Sequence, residues 1–176
     1  MNFTFSEDQE MFRDSVRGLL ERECAADVVR GLWETETGRS ATLWAKLAEL
    51  GILGLMAPEE TGGLGMSEID LVLPLVETGR AAFPGPVVEC AAVAVPLLRD
   101  LADSGLAAEW LPRLAGGEAI ATVGHRANAF VADAHVAEAC HPAVRIARAR
   151  RRPLEEAERH DELELIARPE PPLVHE

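Results

Sequence analysis

The amino-acid sequence predicts a mainly α-helical bundle followed by a short β segment and an irregular charged tail. Three observations carry this. Capped stretches with apolar residues at helical spacing follow one another from Ser6 to Gly116-Gly117. A single short run, Ala119 to Val123, reads as a strand. From Cys140 onward arginine, proline and acidic residues replace any periodic pattern. The expected divisions are a helical domain over 1–117, a β segment over 118–138 and a charged tail over 139–176.

Ser6 opens the first helix, and Gln9 three residues on completes a capping box. Glu7 and Asp8 suit the positive end of the helix dipole. Phe12, Val16, Leu19 and Leu20 form its inward stripe, and Trp33 beyond it is expected to pack rather than to serve a site. Gly38 and Ser40 break the chain, and Ser40 caps a helix with Leu43, Trp44, Leu47 and Leu50 at helical spacing. Gly51 ends it, because a helix commonly stops on a residue of positive φ. Ile52, Leu53, Leu55 and Met56 are too apolar for a surface loop and predict a buried link. Pro58, Gly62, Gly63 and Gly65 then force a tight turn. That turn lacks Lys-Ser/Thr and follows no strand, so it is not a phosphate loop.

Ser67 caps the next helix, with Ile69, Leu71, Val72, Leu75 and Val76 apolar and Pro74 inside it. Gly79 is expected to end it, before a turn at Phe83-Pro84-Gly85-Pro86. Val87 to Ala102 reads as a nearly all-apolar helix interrupted by Pro96, hence buried on most sides. Its small residues Ala91, Ala92 and Ala94 allow close helix contacts or leave room for a ligand. After Asp103 and Ser104 a last helix turns Leu106, Trp110, Leu111 and Leu114 inward. About five helices over 6–116 are expected.

Composition excludes several functions. The 176 residues carry a net charge of −13, which argues against nucleic acid or an anionic membrane as partner. Cys24, Cys90 and Cys140 are few, odd in number and far apart, as in a reducing cytoplasm. The N-terminus shows no secretory pattern, and no apolar run is long enough to span a bilayer. Asp133, His135, Glu138 and His141 are too loosely spaced for a metal motif. The cluster Arg145, Arg148, Arg150, Arg151, Arg152 and Arg159 reads as a solvated tail rather than a site for CoA phosphates or nucleic acid. Leu154 to Ile166 could form a short charged helix.

The wording of four stretches adds to this. LWAKLAELGILGLMAPEETGGLGMS, from Leu43 to Ser67, closely resembles a signature of the acyl-CoA dehydrogenase family. FTFSEDQEMFRDSVRGLLERE resembles that family's opening helix, LVLPLVETGRAAFPGPV a later one, and EWLPRLAGGEAIATVG the end of its helical domain. The resemblance covers about residues 3–124 and thins out by 138. It implies an N-terminal helical domain of a flavoenzyme that desaturates acyl-CoA thioesters. It also implies FAD as cofactor, acyl-CoA as substrate, electron-transferring flavoprotein as acceptor and an oligomeric assembly. In the family the helix at Val87–Ala102 walls the acyl-chain cavity. The resemblance therefore suggests Val88, Ala91, Ala92 and Val95 as substrate-lining positions; simple core packing is the plainer account of each.

After the strand the pattern breaks. The family's Thr-Glu-x-x-x-Gly-Ser-Asp loop, which binds flavin and thioester, is replaced by Gly124-His125-Arg126-Ala127-Asn128-Ala129-Phe130. Ala129 to Glu138 resembles a later segment of the family's barrel domain, as though joined across a deletion. The family's C-terminal bundle, with its carboxylate base, has no counterpart here. Desaturation needs a base for the α-proton, a flavin for the β-hydride and donors for the thioester oxygen. No residue of this chain is assigned as catalytic. Two functions follow. One is an acyl-CoA dehydrogenase family protein whose activity needs another chain. The other is a non-catalytic interaction subunit, or a truncated or frameshifted product, that pairs with a full-length member.

Overall fold

The computed structural model describes residues 4–101 and 105–124, and the backbone of 139–141. The Asp103-Ser104 cap, the segment Ala129 to Glu138, the arginine cluster and the charged helix expected over Leu154 to Ile166 lie outside the described residues. Within them the chain forms α1 (Glu7–Glu23), α2 (Ala26–Trp33), α3 (Ala41–Glu49) and α4 (Glu68–Arg80). A π-helical segment, Val88–Ala94, runs on into α5 (Val95–Asp100), and α6 (Gly105–Ala115) follows. The strands are β1 (Ala121–Val123) and β2 (Ala139–His141), paired in parallel with Ala121 opposite Ala139.

The capping box at Ser6 forms as the sequence predicts. The Gln9 N–H donates to Ser6 Oγ at 3.2 Å, and the Ser6 N–H donates to Gln9 Oε1 at 2.9 Å. Gln9 Nε2 also donates to Asp70 Oδ1 at 2.7 Å, and Asp70 Oδ2 accepts from the Ser67 N–H and hydroxyl at 2.9 and 2.7 Å. The two helix starts are thus tied together. Further along, Arg17 meets Glu77 and Glu21 meets Arg80. Partners advance in the same direction along both chains, so α1 and α4 lie side by side and parallel.

The buried link forms the centre. Ile52, Leu53, Leu55 and Ala57 are wholly buried, and Met56 nearly so. Its backbone groups are satisfied by the glycine turn folding back on it. The Leu64 N–H donates to Gly54 O at 3.1 Å, the Gly65 N–H to Ala57 O at 2.9 Å and the Met66 N–H to Leu55 O at 2.9 Å. Val16 and Leu20 of α1, Trp44 and Leu47 of α3, and Trp110, Leu111 and Leu114 of α6 pack around it. Lys46 Nζ, 2.7 Å from Glu23, ties α3 to the end of α1.

Three expectations need correction. Trp33 is 69% exposed rather than packed in the core; α2 contributes Val29 and, in part, Leu32 to it. That helix is separate from α1, broken at Cys24. Gly79 does not end α4, which continues to Arg80; the chain reverses at Ala82, with φ of 48°. The stretch after Val87 is not one regular helix buried on most sides. Val88 and Val93 are exposed, and the first two turns are π-helical, with the Val95 N–H bonded to Cys90 O. Proline accounts for the widening. Pro96 has no N–H and its ring clashes with the carbonyl four residues back, and a wider turn moves that carbonyl away.

Candidate functional site

The helix from Val88 to Asp100 has an inner and an outer face. Cys90, Ala91, Ala94 and Val95 lie inside, at 0–3% exposure. Val88 and Val93 lie outside at 51% and 41%, and Ala92 sits half-buried between the faces. The four residues named from the sequence therefore divide. Ala91 and Val95 are core residues, while Val88 and Ala92 border an open apolar surface. The inner face packs on β1, where burial pushes the Cys90 thiol up to about 11 and holds it protonated.

A second cluster lies between α1 and α4. Glu77 is 2% exposed and accepts from Arg17 Nη2 at 2.6 Å, Arg17 Nε at 3.1 Å and Arg80 Nε at 2.9 Å. Arg80 Nη2 also donates to Glu21 at 2.7 Å. The Arg17 hydrogen bonds, and secondarily those from Arg80, hold the Glu77 carboxyl below the usual glutamate range. Beside it, Leu20, Cys24, Ala25 and Ala81 complete a depression of about 190 Å³. That is smaller than the usual ligand pocket, and both arginines are already engaged, so the cluster joins helices. Sequence reading missed it, although an acid on the core-facing side of α4 was a signal.

Among the described residues no group of three or more His, Cys, Asp or Glu side chains could hold a metal ion. Asp133, His135 and Glu138 lie outside them, and His141 is described only as backbone. No described helix is long and apolar enough to cross a membrane.

Residues 6–118 match the family model of the acyl-CoA dehydrogenase N-terminal domain. Acyl-CoA dehydrogenase IpdE2 of Mycolicibacterium smegmatis is 35% identical over 119 residues, which are 67% of this chain and 37% of that protein. The chain thus spans little more than a third of that relative's length. The fold is similar to the ChsE4-ChsE5 complex of Mycobacterium tuberculosis, with TM-score 0.68, 24% identity, and coverage of 80% of this chain and 44% of that one. It is also similar to an acyl-CoA dehydrogenase of Bacillus anthracis complexed with FAD, with TM-score 0.64, 19% identity, and coverage of 78% and 29%. The matched model takes in α1 through α6 and the whole candidate site, and on that ground the chain belongs to the acyl-CoA dehydrogenase family.

Proposed function

We propose that this chain supplies the helical wall of an acyl-binding cavity in an acyl-CoA dehydrogenase assembly acting on an acyl-CoA thioester. The observation that carries this reading is the open apolar edge at Val88 and Ala92, on the helix that the family resemblance assigns to the cavity. In this reading Val88 and Ala92 touch the acyl chain and exclude water from it. Ala91 and Val95, locked in the core, fix the helix behind them.

FAD, the family cofactor, would take the β-hydride when bound. Gly124 to Phe130 offers none of the acidic and hydroxyl groups of the family's flavin loop, and the depression at Glu77 is too small for a flavin. The residues of this chain do not fit the cofactor by themselves, so no step is assigned to it here. Flavin and base come from a partner chain, with electron-transferring flavoprotein as the acceptor of that assembly, in the cytoplasm. Residues 1–117 are then the cavity module, 118–138 a remnant of the barrel domain and 139–176 an appended tail. The exposed apolar residues on α4 favour the related reading of an interaction subunit without chemistry of its own.

Titrating the chain with hexanoyl-CoA while following its methyl NMR signals tests the proposal. Saturable shifts at Val88 and Ala92, larger than those at Ala91 and Val95, are expected. Uniform or absent shifts would overturn it.

A further inference from the structure

We draw no further inference here: the strongest candidate, the outward apolar face of α4 at Ile69, Val72 and Val76, carries nothing, because the acids beside it are already paired with Arg17, Arg80 and Arg99 and nothing in the structure shows what covers it.

Discussion

At Glu77 a carboxylate with 2% exposure holds two guanidiniums that themselves reach solvent, Arg17 at 38% and Arg80 at 53%. Solvent around the arginines screens the attraction, so the pair is worth less than a fully buried one. Glu77→Gln should lower stability by about 1–2 kcal/mol, read by urea unfolding at pH 7. Because the folded carboxyl lies below its ordinary 4.5, its contribution is complete above that value. It is lost as pH falls through the folded value. The wild-type urea midpoint should therefore drop on acidification below about pH 5 more steeply than that of Glu77→Gln; parallel curves would remove Glu77 from the account. The glycines show a comparable division. A β-carbon on Gly63 would sit 2.6 Å from that of Ala57, whereas Gly62 has open space and a φ of 81°. Gly62→Ala should cost only the left-handed backbone term, about 1–2 kcal/mol. Gly63→Ala must push the central link aside and should cost more, in the same urea assay. The sequence shows that a tight turn is there. It cannot show which glycine is pressed against Ala57, because that contact depends on how the link folds back.

Elements were legible where periodicity and caps agree. The Ser6 box, the Ser40 cap with Leu43, Trp44 and Leu47 inward, and the fully buried link all follow from local rules. The helix after Val87 was legible only in outline. Its apolar run foretold a helix and Pro96 an interruption, but an all-apolar composition has no preferred face. The side turned outward is decided by packing on β1 and α4. The inner face is the one that can be checked by chemistry. Cys90 is wholly buried there, and burial raises its thiol, with a smaller push from Glu89, as it raises that of Cys24 at the end of α1. At pH 8 both should react with a disulfide reagent at least about a hundredfold more slowly than in urea, because reaction needs the thiolate and an opening. Peptide-level mass spectrometry separates the two from Cys140. Fast labelling of Cys90 in the native protein would mean that this helix does not close on the core.

For the molecule as a whole, the family match takes in nearly all of the core found among the described residues. Among the described residues the buried hydrophobic ones run from Val16 to Ala121, and the matched model from 6 to 118. Residues 142–176 hold seven arginines and eight acids, so removing them hardly changes the net charge or its self-repulsion. A chain ending at His141 keeps every described helix, both strands and the ion pairs that tie α1 to α3 and α4. It should show the same helical circular dichroism as the full chain after correction for length. Its melting temperature should stay within about 2 °C, since a larger shift would correspond to more than about 0.5–1 kcal/mol of lost contact. A fall of ten degrees or more, or precipitation on truncation, would show that the tail covers part of this core. The helical module would then be stable only with residues 142–176 in place.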